Sequence, residues 1–405
     1  MTINNEHKKL NVPNLRFPEF QGEWEEKRLS EIADLFKGNG ISKEQLTDTG
    51  EPCILYGELY TKYKSEVISD IFSKTDIDTR KLVKSKANDV IIPCSGETAV
   101  DIATARCVPY DNILLGGDLN IIRLYDCDGS FMSYQLNGKR KYDLAKVAQG
   151  VSVVHLYGDH LKGVKTYNPC LEEQKKIAKL LSLLDERIAT QNKIIGDLKK
   201  LKSAIVENVF DDKHSERLQL DNVGSYIRGL TYSSNDVVEH GGTLVIRSNN
   251  IINGSLLDYN NNVVFVNKQM SAEQQLQNGD VVICMANGSS SLVGKSSFYD
   301  GSCHSPITIG AFCGIYRSKE PIVKWLFQTN KYRRYIWKSL QGGNGAIANL
   351  NGEDILNMSF SIPNATIKDT CVKMLTSVDS ALENNMSLCA LYTLQKQHLL
   401  RQMFI

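Results

Sequence analysis

Two clusters of basic and aromatic side chains occupy matching places in the chain. The first is 139–142 (KRKY), and the second is 331–338 (KYRRYIWK). Lysine and arginine side chains grouped in this way bind phosphate groups and hold a protein on a nucleic acid without reading its sequence. An ordinary solvated helix face would contain the same residues, so charge alone leaves both interpretations open.

The turns that accompany these clusters carry polar side chains, and they differ between the two places. Residues 95–98 read SGET, whereas 287–290 read NGSS. Such side chains hydrogen-bond to base edges in the major groove of DNA, although they are equally common in turns that bind nothing. The candidate nucleic-acid contacts are Lys139, Arg140, Lys141, Gly96, Thr98, Ser152, His155, Arg228, Asn287, Ser289, Lys295, Arg333, Arg334, Asn344 and Asn349.

Motifs for catalysis are not found in the sequence. Residues 288–296 (GSSSLVGKS) resemble a phosphate-binding P-loop but have five residues between the glycines, where that motif has four. The histidines show no spacing typical of metal ligands. Asn168-Pro169-Cys170 is not the Asn-Pro-Pro-aromatic motif of amino-methyltransferases. We therefore expect a non-catalytic chain that binds no cofactor and no metal.

The positions of these residues follow from an internal repeat. Residues 29–38 return at 220–229 and residues 87–92 at 278–283, both 191 positions later. The offset has grown to 194 by Pro169 and Pro363. A repeat unit this long is a duplicated domain rather than a solenoid repeat, whose units span about 20–50 residues. Two similar surfaces are expected, related by an approximate two-fold axis.

Each copy predicts a mixed head followed by one long helix. Short apolar runs such as 90–92, 244–246 and 281–284 are bounded by Gly, Asn and Asp, as strands usually are. Helical patterns lie between them, so the fold class is α+β. The expected divisions are an N-terminal tail (1–13), the first head (14–168), the first helix (169–210), the second head (211–362) and the second helix (363–405).

Both long helices carry apolar residues at heptad spacing, which predicts an antiparallel coiled coil between them. Gln191 and Asn385 interrupt the two stripes near their middles, so symmetry would pair them, although solvent-exposed gaps would look the same. Lys202 and Lys396 are further polar steps. The predicted seam is Ile177, Leu181, Leu184, Ile188, Gln191, Ile195, Leu198, Leu375, Val378, Leu382, Asn385, Cys389 and Tyr392.

Net charge, cysteine spacing and the lengths of apolar runs narrow the class of protein and its location. The formal net charge is +1, so nucleic-acid binding would depend on local clusters rather than an overall basic field. The ten cysteines show no C-x-x-C pair, which favours free thiols in a reducing compartment. Neither a signal peptide nor a membrane span is evident, and a cytoplasmic location is expected.

Several segments resemble the specificity subunits of type I restriction-modification systems. The segments 12–20 (VPNLRFPEF) and 24–33 (WEEKRLSEIA) resemble the start of that family. Residues 172–178 (EEQKKIA) with Leu184-Asp185 resemble its first spacer helix. The turn 292–295 (LVGK) and the segment 349–351 (NLN) with Ile355 and Ile362-Pro363 resemble its second recognition domain. Together these segments span nearly the whole chain.

The resemblance implies a DNA-recognition subunit. Each head would be a target-recognition domain that reads one half of a split, asymmetric site in double-stranded DNA. The helices would set the spacing and dock two DNA adenine methyltransferase subunits, and two restriction subunits with translocase activity would complete the complex. S-adenosylmethionine, ATP and Mg would belong to those partners. The second helix begins with 365–370 (ATIKDT), which departs from the LEEQKK of 171–176.

Two other classes of protein stay open on the residues alone. A coiled-coil adaptor with two protein-binding heads would show the same repeat but no sequence-selective retention on DNA. A free-standing methyltransferase or nuclease would need cofactor or metal motifs that the sequence does not show.

Overall fold

The computed structural model describes residues 10–150, 153–211, 213, 216–340 and 348–405. The chain divides into two compact units: unit 1 comprises Met1–Asn192 and Ser387–Ile405, and unit 2 comprises Lys193–Met386. The predicted α+β class, with two similar heads and two long helices, is confirmed. Each long helix contributes one part of its length to each unit.

Unit 1 contains short strands and helices followed by one long helix. Its strands are β1 (Glu25–Arg28), β2 (Ala33–Lys37), β3 (Leu46–Thr47), β4 (Glu51–Ile54), β5 (Ser73–Thr75), β6 (Val83–Lys84), β7 (Asp89–Pro93), β8 (Ser95–Gly96), β9 (Arg106–Val108), β10 (Leu114–Leu115), β11 (Leu119–Leu124), β12 (Val154–His155) and β13 (Lys165–Asn168). Its helices are α1 (Leu29–Ile32), α2 (Glu58–Thr61), α3 (Ala99–Ile102), α4 (Gly129–Asn137), α5 (Lys141–Val147), α6 (Gly158–Lys162) and the first part of α7 (Leu171–Val209).

The centre of unit 1 is an antiparallel sheet in the order β2-β11-β7-β9. Val90 and Ile92 of β7 lie in the core on one face of this sheet, and Ile91 lies in the core on the other. Because both faces are covered, the strand is apolar at three successive positions, 90–92, rather than at alternate ones. A second, mixed sheet has the order β3-β5-β4-β10-β6, and β1 pairs with β13.

Unit 2 repeats most of these elements. Its strands are β14 (Glu216–Gln219), β15 (Gly224–Arg228), β16 (Val237–Val238), β17 (Thr243–Ile246), β18 (Val264–Val266), β19 (Val281–Cys284), β20 (Ala286–Asn287), β21 (Ser296–Phe298), β22 (Ile307–Ile309), β23 (Cys313–Ser318), β24 (Ala348–Asn349) and β25 (Ser359–Ile362). Its helices are α8 (Leu220–Val223), α9 (Val323–Leu326), α10 (Asn330–Leu340), α11 (Gly352–Leu356) and, in its first part, α12 (Ala365–Gln402).

The repeat extends to the register of the central sheets. The sheet of unit 2 has the order β15-β23-β19-β21, and Arg228 lies opposite Gly314 where unit 1 places Lys37 opposite Asn120. The turn before the central strand also recurs, because Asn88 (φ 83°) and Gly279 (φ 90°) both adopt left-handed backbone, which Asn and Gly tolerate best. The following aspartates, Asp89 and Asp280, accept two hydrogen bonds each from Arg123 and Arg317.

The long helices are antiparallel within each unit. In unit 1, Asp185 and Asn192 of α7 contact Lys396 and Cys389 of α12, so residue numbers rise along one helix and fall along the other. In unit 2, Lys202 of α7 pairs with Asp379 of α12. Every predicted seam position is buried or half-buried.

The first apolar positions of α7 contact the head of unit 1 as well as α12. Ile177 and Leu181 share one core cluster with Trp24, Phe131 and Tyr134 of that head. Met403 and Phe404, which follow α12, belong to the same cluster, and Leu399 and Leu400 of α12 pack against it. The heptad spacing therefore describes a three-way contact here rather than a simple two-helix seam.

A buried ionic cluster holds the helices of unit 1 to its head. The ammonium group of Lys396 lies 2.6 Å from Asp185 and also binds Glu66. Asp185 accepts a hydrogen bond of 2.7 Å from the Tyr134 hydroxyl. Burial raises the pKa of Asp185 above its ordinary value, and the nearby negative charge of Glu66 acts in the same direction. The cluster thus contains two carboxylates and one ammonium group.

Unit 2 builds the equivalent cluster from the equivalent positions with the opposite balance of charge. Lys202 lies 2.6 Å from Asp379 and donates to the Gly254 carbonyl at 2.7 Å. The Trp325 indole donates to Asp379 at 2.9 Å, and the ammonium group of Lys324 lies 3.7 Å from the same carboxylate. Burial lowers the pKa of Lys324. Here one carboxylate serves two ammonium groups.

The polar steps of the helices therefore have different roles. Lys202 and Lys396, the further polar steps of the two stripes, are each a buried partner of a carboxylate on the other helix. Gln191 is buried, and Asn385 donates to the carbonyl of Ala381 at 2.6 Å. Their mutual pairing stays a prediction.

The opposite charge balance predicts unequal costs for two equivalent substitutions. Asp379→Asn leaves Lys202 and Lys324 without the carboxylate they share, and breaking a buried pair in this way costs about 3–5 kcal/mol. Asp185→Asn leaves Lys396 paired with Glu66 and should cost only about 1 kcal/mol. Urea denaturation of both variants measures the difference, and equal losses would contradict the assigned clusters. Lys200→Ala, at an exposed ion pair of 3.6 Å, is the control and should change stability by less than about 0.5 kcal/mol.

Candidate nucleic-acid interface

Some candidate contacts of unit 1 lie at one end of its central sheet. β7 leads directly into β8, and β8 pairs with β12 so that Ser95 faces His155 and Gly96 faces Val154. The backbone of Cys94 donates to the carbonyl of Asp118 at 2.7 Å, which fixes the turn before β11 beside β8. This end of the sheet therefore presents β8, β12 and the turn 116–118 together.

Unit 2 brings the matching segments together in the same way. β20 follows β19 and pairs with β24, so that Ala286 faces Asn349 and Asn287 faces Ala348. The backbone N–H groups of Met285 and Ala286 both donate to the carbonyl of Phe312, at 2.9 and 3.2 Å. Arg228 ends β15, which pairs with β23 in the central sheet.

Two repeated glycines allow these turns to form. A Cβ atom at Gly38 would lie 2.2 Å from the carbonyl oxygen of Gly116, and one at Gly229 would lie 2.1 Å from that of Gly310. Any larger residue would push the turn away from the end of the strand. The recurrence of these glycines in the sequence therefore reports a close backbone approach, which the sequence alone did not identify.

The polar candidates of unit 1 are partly occupied by local hydrogen bonds. The Thr98 hydroxyl caps α3 by accepting from the Asp101 backbone at 3.1 Å. The His155 ring lies 3.3 Å from the Ser95 hydroxyl and stacks on Tyr157. These contacts orient both side chains before any ligand binds.

Arg140 has a different role from its neighbours. Its guanidinium donates to the Ile405 carbonyl at 2.8 Å, forms an ion pair with Asp143 at 3.2 Å and lies over the Tyr167 ring. A guanidinium held by these three partners serves the packing of unit 1, so we leave Arg140 out of the proposed interface. Lys139 is exposed beside it.

A cleft of about 730 Å³ opens next to β8 in unit 1. Tyr56, Tyr60 and Lys141 are among its lining residues, with Arg106. The guanidinium of Arg106 donates to the carbonyls of Tyr63 and Ala105, and burial lowers its pKa. The cleft places tyrosine rings and cations beside the candidate contact Gly96.

In unit 2 the polar candidates lie on β20, β24 and the turn after β20. The Asn287 carboxamide accepts from the Ser289 backbone at 3.0 Å and donates to the Ser248 hydroxyl at 3.4 Å. The Ser289 and Ser291 hydroxyls are 2.8 Å apart. Asn349 is exposed on β24. The segment that resembles a P-loop leads from this turn into strand β21 rather than into a helix.

Helix α10 presents one cationic face. Tyr332 and Ile336 are buried, whereas Arg333, Arg334 and Trp337 point outward, and Trp337 is 61% exposed. Arg333 and Trp337 line a cleft of about 500 Å³ that Lys295 also lines. The second basic cluster is thus an amphipathic helix whose free face combines arginines with an aromatic ring.

Two candidate contacts, possible metal ligands and possible membrane spans complete the description of the predicted sites. Ser152 and Asn344 fall outside the described residues. Within the described ranges, no group of three or more His, Cys, Asp or Glu side chains could hold a metal ion. In the same part of the chain, no helix is both long and apolar enough to cross a membrane.

Comparisons with known proteins find the same family that the sequence segments resemble. A family model described as the type I restriction modification DNA specificity domain matches residues 21–200. The EcoKI specificity subunit of the Escherichia coli K12 type I restriction enzyme is 34% identical over 155 residues, which are 36% of this chain and 31% of that relative. The MjaVIII specificity subunit of Methanocaldococcus jannaschii is 28% identical over 198 residues, which are 48% of this chain and 43% of that relative. The chain thus aligns with less than half the length of the curated relatives that it matches.

A solved structure extends the likeness to the whole fold. The S subunit of a type I restriction-modification system from M. genitalium superposes with a TM-score of 0.66 at 16% identity, over 97% of this chain and 99% of that one. The resemblance noted in the sequence is confirmed. Residues 21–200 match the model of the type I restriction modification DNA specificity domain, and the chain as a whole shares the fold of the solved S subunit.

Proposed function

We propose that this chain is the DNA-recognition subunit of a type I restriction-modification complex, with one head for each half of a split, asymmetric site. The observation that carries the proposal is the specificity domain in residues 21–200. Unit 2 supports it, because it repeats the sheet, its register and its turns with different side chains at the turns. Equivalent scaffolds with unlike turns suit two different half-sites.

The two heads contact DNA through two kinds of residue. The arginines of α10 in unit 2 and Lys139 and Lys141 in unit 1 bind phosphates and position the protein without reading bases. The turns at the end of each central sheet enter the major groove, where Asn287, Asn349 and Arg228 have the groups needed to read base edges. In unit 1 the corresponding segments are β8, β12 and the start of α3.

The long helices set the distance between the half-sites. The 39 residues of α7 span about 58 Å at 1.5 Å per residue, which exceeds the ~34–36 Å of one DNA turn. We further propose that the helices dock two DNA adenine methyltransferase subunits and that two restriction subunits join the complex. Methylation and cleavage, with S-adenosylmethionine, ATP and Mg, then belong to those partners, and this chain acts in the cytoplasm as a non-catalytic, cofactor-free subunit.

Exchange of one head tests this division of labour. Replacing residues 14–168 by the corresponding segment of a related specificity subunit should change one half of the recognised sequence and leave the other half and the spacing intact. Mapping methylated adenines in DNA from cells that carry each version together with the methyltransferase measures this. Loss or change of both halves would refute the two-head assignment, and the absence of any sequence-selective methylation would favour an adaptor.

Removal of two cations tests the phosphate contacts. The double variant Arg333→Ala, Arg334→Ala should bind specific and unrelated duplexes more weakly by a similar factor. The slope of log K against log salt concentration should become shallower by about 1–2, because each lost phosphate contact removes about 0.9 from it. Lys319→Ala is the control, since Lys319 is exposed beyond the opposite end of β23 and should leave the slope unchanged. An unchanged slope in the double variant would remove α10 from the interface.

A further inference from the structure

Unit 2 exposes one aromatic ring at the end of its central sheet. Phe312 is 66% exposed, in the turn between β22 and β23. Phenylalanine is normally buried in folded proteins, and single exposed ones need no special explanation. Phe312 differs from such cases because its backbone is held firmly while its side chain is free.

Four backbone hydrogen bonds fix the turn that carries Phe312. The Phe312 carbonyl accepts from the N–H groups of Met285 and Ala286. Within the turn, Cys313 donates to Gly310 at 2.9 Å, and Gly310 donates to Ile246 at 2.8 Å. The ring therefore projects from a rigid support, and little conformational entropy of the backbone is lost when it contacts a ligand.

The surroundings of Phe312 are polar and match the edges of DNA bases. The N–H of Ala286 that holds the turn belongs to β20, whose next residue is Asn287, and β20 pairs with β24, which ends in Asn349. Arg228 ends β15, the strand paired with β23 immediately after the turn. The turn that carries the ring thus lies beside strands with side chains that can donate and accept hydrogen bonds.

Unit 1 has a turn at the matching position with a different side chain and a different backbone conformation, because Asp118 lies in the left-handed region (φ 58°) and Phe312 does not. Asp118 occupies the equivalent position, and its carbonyl accepts from the Cys94 backbone at 2.7 Å, as that of Phe312 does from Met285. The recurring hydrogen bond places an acidic residue in one head and an aromatic residue in the other at matching positions, so the two heads present different chemistry there.

The major groove of DNA offers one apolar feature at the base edges, the C5 methyl group of thymine. We infer that Phe312 recognises a thymine in the half-site read by unit 2, through contact between its ring and that methyl group. The inference rests on the proposed function and deepens it, because it assigns a base to one residue. The neighbouring amides and Arg228 contact the polar edges of the adjoining base pairs.

Replacement of thymine by deoxyuridine tests the contact, because it removes the methyl group and nothing else. The complete chain, assembled with its methyltransferase subunits, is titrated with duplexes that carry a single uridine at each thymine of the unit 2 half-site. Burial of one methyl group contributes about 0.8 kcal/mol, so one position should weaken binding about two- to fourfold. Phe312→Ala should bind the thymine duplex about two- to fourfold more weakly and should no longer distinguish uridine at that position.

Matched variants separate the ring from general effects on the head. Phe312→Leu keeps an apolar side chain and should keep the discrimination. Val237→Ala, at an exposed residue of β16 on the edge of its sheet farthest from β22, should behave as the unaltered protein. Loss of discrimination in that control would show damage to the head, and the inference would fall.

The outcomes distinguish this inference from the proposed function. If the unaltered complex binds its site selectively but no uridine position weakens binding, or if Phe312→Ala keeps the full uridine effect, the thymine contact is refuted and the proposed function stands. If the assembled complex shows no selective binding to any duplex, the proposed function fails and the inference fails with it.

Discussion

The structure depends on two buried lysine–aspartate contacts. In each unit a lysine from one long helix reaches an aspartate on the other, and that aspartate also accepts a hydrogen bond from an aromatic residue of the head, Tyr134 or Trp325. One carboxylate thereby joins three separate segments of chain. Desolvating such groups is costly, so a buried charge that is left without any partner destabilises the fold. Loss of one partner therefore affects helix pairing and head attachment together.

The two units use this scaffold with different surfaces. Three features recur in both units: the strand register, the left-handed turn before the central strand, and the glycines beside the turns at the end of each central sheet. The side chains at the turns do not recur, since Asp118 corresponds to Phe312 and Gly96 to Asn287. Even the buried clusters differ in charge, with two carboxylates in unit 1 and two ammonium groups in unit 2. The two units thus share a backbone scaffold, whereas the side chains at the turns and in the buried clusters differ.

Much of this could be predicted from the sequence. The repeat, the apolar strands and the long helices leave periodic or duplicated patterns, and these predictions are confirmed. The roles of single polar residues could not be predicted in the same way. Lys202 and Lys396 look like gaps in an apolar stripe because their aspartate partners lie on the other helix, far away in the sequence. Arg140 belongs to a basic run, yet its partners are Asp143, Tyr167 and a distant carbonyl. Phe312 is missed because one aromatic residue in a turn forms no pattern.

The division of the chain also constrains the order in which it folds. Unit 1 closes only when residues 387–405 return to the segment that ends at Asn192, and Met403 and Phe404 then cover Trp24 and Phe131. A growing chain must therefore emerge through the whole of unit 2 before the core of unit 1 is complete. Contacts between residues so far apart in sequence form slowly and leave apolar surface uncovered during synthesis. The first head to be made is the last to be finished.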